Sequence, residues 1–371
     1  MPNAICLVAF FGHEAFYIPL SNIRKIFQAI NPDAGSIVIL DPALEDRIVF
    51  HSSQDIVVFY KKISNPVRRI IGYVLLNFRI SWHIIRQSKH VKYYIFFMES
   101  GMPLPMLSAK LCQKKVIWVL PSSFRLMIKH KKAYINLLLV PFETLLFSLT
   151  DNIVLYSHNL EKEWNLEKYN SKVRIAHEHL INTQIFTETI PLSERPYSIG
   201  YIGRLSEEKG IKNLVLALPQ ILNENKEISA IIGGDGELKE EIMSDLHQAD
   251  LSKQVNIPGW ISREELPRYL NQIKLLILPS FTEGLPNILL EAMACGTPVL
   301  ATPVGAIPDI IKESETGFIM ENNSPECIVK NIQRVLVSPN LETVSSNAKQ
   351  IILQEFTPEN AVGQWKDFIH I

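Results

Sequence analysis

Short apolar runs alternate with amphipathic stretches along most of the 371 residues. This alternation is typical of parallel sheets whose strands are joined by crossover helices. In the first half, the apolar runs predict buried strands over residues 4–11, 36–40, 56–59, 94–98, 116–120 and 152–156. The amphipathic stretches between them predict helices over residues 66–87, 105–112 and 133–149.

The second half alternates more regularly, and a final helix is predicted from Pro358 onward. Its apolar runs predict strands over residues 198–203, 228–232, 255–257, 275–279, 299–301 and 317–320. Its helices are predicted over residues 211–223, 238–248, 263–271, 287–294 and 325–337. Ser262 is followed three residues later by Glu265, which makes a capping box for the helix over 263–271.

The length indicates two domains, at about 150 residues each. A polar, Thr-rich segment over residues 181–196 ends in a proline, and we predict that it links them. We expect one doubly wound α/β domain over residues 1–180 and another over residues 197–355. Residues 356–371 are expected to form a C-terminal helix that packs back towards the first domain.

The net charge of −1 hides an asymmetry between the two halves. Residues 1–196 carry 23 Lys and Arg against 15 Asp and Glu, whereas residues 197–371 carry 14 against 23. Residues 61–132 alone hold 15 basic residues and a single acid, Glu99. This concentration of positive charge predicts an anionic partner such as a membrane surface, a nucleic acid or a phosphorylated substrate. No nucleic-acid recognition motif accompanies it, so we do not expect nucleic acid.

The predicted helix over residues 66–87 supplies part of this charge. It contains two aromatic residues and four cations, namely Phe78, Trp82, Arg68, Arg69, Arg79 and Arg86. One interpretation is a basic amphipathic helix that binds an anionic membrane through salt-sensitive attraction. The other is an ordinary surface helix whose cations reach into solvent. The sequence leaves both interpretations open.

The sequence predicts a cytoplasmic protein that is at most peripheral on the inner face of a membrane. The longest apolar runs, residues 70–85 and 134–149, contain Arg79 and Glu143 and are shorter than the about 20 residues that a spanning helix needs. The first eleven residues predict a buried strand rather than a signal peptide. The four cysteines are far apart, which favours a reducing compartment over a disulfide framework or a zinc ribbon.

Two glycine-rich loops follow predicted strands of the second domain, where ligands of such sheets bind. In the first loop, Gly203 and Gly210 allow backbone amides to approach an anion at the start of the next helix. Arg204 can donate two hydrogen bonds to phosphate oxygens and Lys209 adds a compact charge, so the pair suits a diphosphate. The second loop, residues 233–236, holds three glycines and one Asp. For both loops, an ordinary turn without a ligand remains the alternative.

Two carboxylates eight residues apart surround a predicted helix start. Pro286 suits the first helical position, which places Glu283 in the loop and Glu291 about one and a half turns into the helix. Both carboxylates can accept hydrogen bonds from a vicinal diol. Amides at this helix N-terminus could bind hydroxyls or phosphate, and they belong to Gly284, Leu285 and Asn287. A salt-bridged helix carboxylate is the alternative for Glu291, but its neighbours are mostly apolar.

These motifs occur in the order G-R-L-x-x-E-K-G, G-G-D-G and E-G-L-P-N-I-L-L-E-A-M-A-C-G-T-P-V. In this order they resemble the C-terminal domain of the retaining glycosyltransferases of family 4. The resemblance is dense over residues 201–317, about a third of the chain, and the two glutamates make it specific. It implies the GT-B fold, in which two Rossmann-like doubly wound domains face each other across an interdomain cleft.

The resemblance also implies roles for individual residues. Arg204 and Lys209 would hold the diphosphate of a nucleoside-diphosphate sugar, and no metal would be required. Glu283 would contact hydroxyls of the donor sugar and support the reacting centre, while Glu291 would bind the ribose diol. The other expected donor contacts are Gly12, Gly203, Gly234, Gly284, Leu285, Pro286 and Asn287.

The first domain departs from the family pattern. Many relatives carry a His after a mid-domain strand, but here the strand over 116–120 runs into Pro-Ser-Ser at 121–123. His13 is either a contact of the donor sugar or a plain loop residue. His177 and His179 form an H-x-H pair that would need further ligands to hold a metal. Because the family's His is missing, no catalytic His is assigned. Activity remains compatible with this absence, since the departing phosphate can act as the base in a retaining displacement, with its charge stabilised by Arg204 and Lys209.

Together these features predict a retaining glycosyltransferase. It would move a sugar from a nucleoside-diphosphate donor to a glycan or lipid-linked acceptor in cell-surface polysaccharide or glycolipid synthesis. The acceptor is expected to enter from the basic first domain. Two alternatives remain: an inactive nucleotide-sugar-binding subunit that supports a partner enzyme, and a nucleotide-sugar 2-epimerase on the same fold.

Overall fold

The computed structural model describes residues 4–11, 17–47, 55–61, 65–97, 102–122 and 143–370. The chain divides into two compact units. The first consists of residues 1–180 together with 358–371, and the second of residues 181–357. Each unit is built on one sheet in which the recorded strand pairs are parallel.

The first unit holds a seven-stranded sheet in the order β3-β2-β1-β4-β5-β6-β7. The strands are β1 Ala4–Phe11, β2 Gly35–Leu40, β3 Asp55–Phe59, β4 Val91–Phe97, β5 Lys115–Leu120, β6 Asn152–Leu155 and β7 Val173–Ile175. The chain winds outward from β1 in both directions, with Cys6 of β1 opposite Gly35 of β2 and Tyr94 of β4. This is the doubly wound topology predicted from the sequence.

Helices connect the strands of the first unit. They are α1 Tyr17–Ile30, α2 Pro66–Gln87, α3 Pro103–Leu111 and α4 His158–Trp164, and residues 143–149 are also helical. Helix α2 begins where predicted, because the side-chain oxygen of Asn65 accepts hydrogen bonds from the backbone N–H groups of Val67 and Arg68, both at 3.1 Å. Within the described part of the chain, no helix is long and apolar enough to cross a bilayer.

The second unit repeats the same winding in a six-stranded sheet of order β10-β9-β8-β11-β12-β13. Its strands are β8 Ile199–Ile202, β9 Ala230–Gly233, β10 Val255–Gly259, β11 Leu276–Leu278, β12 Val299–Ala301 and β13 Phe318–Ile319. Its helices are α5 Ile211–Glu224, α6 Lys239–Gln248, α7 Leu266–Leu270, α8 Asn287–Ala294, α9 Ile307–Ile310, α10 Pro325–Leu336 and α11 Leu341–Glu355. The prediction of two doubly wound α/β domains is therefore confirmed.

One predicted helix is shorter than expected. Helix α7 begins at Leu266, whereas the sequence pattern placed its start at Arg263. The Ser262 hydroxyl oxygen does accept a hydrogen bond from the Glu265 backbone N–H at 3.3 Å, but the Glu265 carboxylate accepts from the same hydroxyl at 3.1 Å. The capping contact therefore closes a turn that precedes the helix.

The segment predicted to be a linker, residues 181–196, packs within the second unit. The buried guanidinium of Arg195 donates hydrogen bonds to the carbonyl oxygens of Ile273 and Cys295, both at 2.9 Å, and to Thr297 Oγ1 at 2.7 Å. These bonds fasten the end of the segment to the loops that precede β11 and β12 in the second unit.

The C-terminal helix α12, Pro358–Lys366, groups with the first unit and ends before the terminal residues that the sequence pattern had included. The indole Nε1–H of Trp365 donates to the carbonyl oxygen of His177 at 3.0 Å. Its ring meets Phe27 of α1 edge to face, with ring centroids 4.9 Å apart. The last helix is therefore held by the unit that opens the chain.

Candidate functional site

Loops that follow the strands of the second sheet meet at its carboxyl edge, where parallel sheets bind ligands. The Leu205 N–H donates to the Asp235 carbonyl at 2.9 Å, which joins the loops after β8 and β9. The Ala306 N–H donates to the Gly284 carbonyl at 2.7 Å, which joins the loops after β12 and β11. The predicted motif segments are thus neighbours within one edge of one sheet.

Two glycines make these close approaches feasible. Gly234 has φ +137°, and a Cβ atom there would lie 1.8 Å from the Gly203 carbonyl oxygen. Gly210 has φ +66°, and a Cβ atom there would lie 1.9 Å from the Pro279 carbonyl oxygen. Any side chain at either position would force the loops apart.

Glu283 is a buried carboxylate that is fully paired. Lys209 Nζ donates to both Glu283 carboxylate oxygens at 2.8 Å. The Ser280 hydroxyl donates to Glu283 Oε1 at 2.7 Å. The structure therefore brings together two residues that the sequence singled out separately, and it adds Ser280, which the sequence analysis missed. The signal that could have identified Ser280 is its position directly after β11, at the sheet edge where ligands bind.

Arg204 lies in the same loop system and is half-exposed. Its Nη1 donates to Glu208 Oε1 at 3.2 Å. The Tyr201 hydroxyl donates to the Arg204 carbonyl at 2.6 Å, and the Phe281 N–H donates to the Glu208 carbonyl at 2.9 Å. These bonds fix the Arg204 backbone and tie its turn to the loop that carries Glu283.

Glu291 lies on α8 and is almost fully buried. Arg263 Nη1 donates to Glu291 Oε1 at 2.8 Å, and the Arg263 guanidinium lies 5.3 Å from the ring centroid of Phe186. Burial raises the pKa of the Glu291 carboxyl, and Arg263 partly opposes this. The salt-bridge alternative for Glu291 is thus observed. Arg263 was missed as a site residue, although it follows β10 at the same sheet edge.

The other residues predicted to contact the donor lie partly outside the described residues and partly at the start of α8. Gly12 lies outside the described residues, as does His13. Leu285 is buried beside Gly284. Placing Pro286 at the first helical position was wrong by one residue, because its ψ of 125° is extended and α8 begins at Asn287.

The histidine pair before the linker is buried in the first unit, so its polar atoms face protein. His179 Nδ1 lies 3.5 Å from Glu178 Oε2, and the rings of His177 and His179 are 5.6 Å apart. Burial raises the pKa of Glu178 to about 7 and lowers that of His177 to about 3. Among the described residues, no group of three or more His, Cys, Asp or Glu side chains is arranged to hold a metal ion.

Comparison with known proteins finds a family model that matches most of the second unit. Residues 182–351 match the family model described as Glycosyl transferases group 1. An uncharacterised glycosyltransferase of Methanocaldococcus jannaschii is 26% identical over 58% of this chain and 53% of its own length. The amylovoran biosynthesis glycosyltransferase AmsK of Erwinia amylovora is 28% identical over 38% of this chain and 36% of its own. The matched region therefore spans about half or less of the length of these curated relatives.

The fold has a solved counterpart over almost the whole chain. HepE from Anabaena, crystallised in complex with UDP, has a TM-score of 0.76 and 16% identity, and the match covers 98% of each chain. This likeness confirms the GT-B fold that the sequence resemblance implied.

Replacing Arg263 with Met should show how much the buried Glu291 carboxylate lowers the free energy of unfolding when its cation is absent. We expect the free energy of unfolding at neutral pH to fall by about 1–2 kcal/mol, a value discounted because Arg263 is half-exposed. The folded-state pKa of Glu291 lies above its ordinary value of 4.5, so this group's contribution to stability declines as pH rises from the ordinary value through the folded-state value. Without Arg263 the folded-state pKa of Glu291 should rise further, so the pH range over which stability declines extends to higher pH. Thermal unfolding at several pH values between acidic and neutral measures the change.

The matched control is Arg268→Met, since Arg268 is an exposed arginine of α7 paired with Glu265. It should change stability little. Adding Glu291→Gln to Arg263→Met should remove the extra pH dependence. If the double variant keeps it, another carboxyl is responsible.

Proposed function

We propose that this chain, whose residues 182–351 match the family model described as Glycosyl transferases group 1, is a retaining glycosyltransferase that uses a nucleoside-diphosphate sugar. The donor would bind at the carboxyl edge of the second sheet. The observation that carries this proposal is the contact of Lys209 with Glu283 beside the two glycine loops. A cation that would bind phosphate thus lies directly against a carboxylate that would bind sugar hydroxyls.

The hydrogen-bonding capacity of this cluster suits a diphosphate. The Lys209 ammonium has three N–H donors, and two of them can serve the two carboxylate oxygens of Glu283. One donor is then left for a phosphate oxygen. Arg204 has five N–H donors, and among the described residues its side chain donates to Glu208. A phosphate group would compete with Glu208 for this guanidinium.

Glu291 would accept hydrogen bonds from the ribose diol, and Arg263 would keep the carboxylate charged while it is buried. The charged carboxylate is the form that accepts two hydroxyl donors. Gly284, Leu285 and Asn287 lie between the two glutamates, at the start of α8. They would line the donor between its phosphates and its sugar.

Chemistry would proceed on the face of the sugar from which the diphosphate leaves. Negative charge grows on the departing phosphate as the glycosidic bond breaks, and Arg204 and Lys209 would stabilise it. The departing phosphate oxygen would take the proton of the acceptor hydroxyl, so no protein base and no metal would be required. Glu283 would hold the sugar hydroxyls during this step.

We propose a glycan or lipid-linked acceptor in cell-surface polysaccharide or glycolipid synthesis. Support comes from the amylovoran biosynthesis relative and from the excess of cations in residues 61–132, which suits an anionic membrane surface. The activity would then be located peripherally on that surface.

A thermal-shift panel of nucleoside diphosphates and their sugars tests the proposal. UDP and UDP-sugars are the first choice, since HepE is known in complex with UDP. A ligand at 100 times its dissociation constant should raise the free energy of unfolding by about 2.7 kcal/mol. Product analysis then follows transfer and anomeric configuration. Binding without transfer or hydrolysis would indicate a non-catalytic subunit, and no shift with any donor would overturn the proposal.

Glu291→Ala should weaken donor binding about 10- to 100-fold and change turnover at saturating donor little. The reason is that a ribose contact is felt equally in the ground and transition states. Titration calorimetry with the donor, alongside turnover, checks this. Unchanged affinity with collapsed turnover would exchange the roles of Glu283 and Glu291.

Arg204→Ala and Lys209→Ala should each lower turnover by about 10²–10³, because both cations would act on charge that develops in the transition state. Arg268→Ala and Lys330→Ala are matched controls on exposed, paired cations of the same unit, and both should keep normal rates. Near-normal turnover in either site variant would remove that residue from the diphosphate clamp.

A further inference from the structure

Helix α2 turns an apolar face towards solvent. Its large exposed apolar side chains are between 43% and 66% exposed, and they are Val67, Ile70, Ile71, Val74, Leu75, Phe78, Trp82 and Ile85. Its inward side buries Leu76, Ile80 and Ile84, together with polar Asn77 and Ser81. The outward face of this helix is therefore more continuously apolar than the inward one.

The exposed residues form one stripe, which we call the α2 stripe. Positions 67, 71, 74, 78, 82 and 85 recur every three or four residues, so they align along one face of a helix. At 1.5 Å per residue the stripe is about 27 Å long. Soluble monomers rarely leave so large an apolar patch open unless it binds something.

Cations follow one edge of the α2 stripe. Arg68, Arg79 and Arg86 are 11 and 7 residues apart, which places them within about 20° of one another around the helix. The Arg86 guanidinium lies 5.1 Å from the ring centroid of Trp82. Arg69 falls towards another side of the helix. The sequence of α2 contains no Asp or Glu that could neutralise these arginines.

We propose that α2 docks the protein on an anionic lipid bilayer, lying parallel to the surface with its apolar stripe at the boundary between headgroups and acyl chains. An interfacial helix needs an apolar face, flanking cations for anionic headgroups and aromatic residues at headgroup depth. The α2 stripe, its arginine edge and Trp82 meet these three needs. The inference rests on the peripheral location in the proposed function and deepens it by naming the helix and the face that would meet the surface. Docking itself requires neither donor binding nor transfer.

Charge complementarity favours a bilayer over a second copy of the chain. A twofold pairing of α2 with itself would bring together two identical faces, each edged by arginines and without a carboxylate on the helix. An anionic bilayer offers the opposite charge beside an apolar interior. Insertion also differs from purely electrostatic attraction, which is screened over about 8 Å at physiological ionic strength.

Vesicle co-sedimentation tests the docking surface. The full chain should bind vesicles of phosphatidylcholine and phosphatidylglycerol, and part of that binding should survive high salt because the stripe is inserted. Phe78→Glu with Trp82→Glu should lower the partition coefficient about tenfold or more, since carboxylates replace the inserted rings. Val337→Glu with Leu353→Glu is the matched control, because these exposed apolar residues lie in the second unit, and it should bind normally.

Tryptophan fluorescence gives a second readout. Trp118, Trp164 and Trp365 are buried, so Trp260→Phe leaves Trp82 as the exposed indole. Its emission should shift to the blue with anionic vesicles, and lipids brominated in the acyl chain should quench it. Emission that does not change on vesicle addition would place Trp82 outside the bilayer and overturn the proposal.

Three other results would also contradict docking by α2. They are equal binding by the Phe78→Glu/Trp82→Glu variant, complete release of the native chain by salt, and a dimer in lipid-free solution that this variant abolishes. Thermal shift of the same variant with UDP, compared with the native chain, keeps the two hypotheses distinct. Lost vesicle binding with a normal UDP shift concerns α2 alone.

Discussion

Two carboxylates buried at one edge of a parallel sheet determine how the loops around them are arranged. A carboxylate removed from water costs several kcal/mol unless a cation and hydrogen bonds compensate it. Glu283 is compensated by Lys209, 74 residues earlier in the chain, and Glu291 by Arg263, 28 residues earlier. Each pair can form only when its loop has reached the sheet edge. The candidate donor site is therefore held by the same contacts that make its burial tolerable.

Much of the fold follows from the sequence because buried parallel strands are short apolar runs. Strands β1 and β12 and helix α8 have the bounds that the pattern predicts. Strand β7 was missed, since its three residues include Arg174 and carry little apolar signal. Helix α1 was not placed, although Leu20, Ile23 and Phe27 have helical spacing and are buried. The pattern therefore identifies strands that are apolar throughout and loses a short strand that contains a charge, whereas the signal for α1 was present and was overlooked.

The candidate site could be predicted by residue type but not by partner. Glycine loops and carboxylates after strands pointed to Arg204, Lys209, Glu283 and Glu291, because the ends of parallel strands share an edge. Spacing along the chain does not say that Glu283 binds Lys209, since that pairing requires the loops after β8 and β11 to meet. A loop residue such as Arg263 shows its importance only once a buried carboxylate is found beside it.

Net charge alone identifies no partner, because it does not show which cations are already paired within the protein. In the second unit, Lys209, Arg204 and Arg263 each contact a carboxylate within the unit, so their charge is compensated locally, and a ligand can use only their remaining donors or displace the carboxylate. On α2 the arginines follow an apolar stripe on a helix without a carboxylate, so their charge acts outward. A paired cation in a loop suits a small anion that binds the remaining donors or replaces the carboxylate. A row of cations beside exposed rings suits an extended surface that presents many anions above an apolar interior. The chain carries both arrangements, and each lies in a different unit.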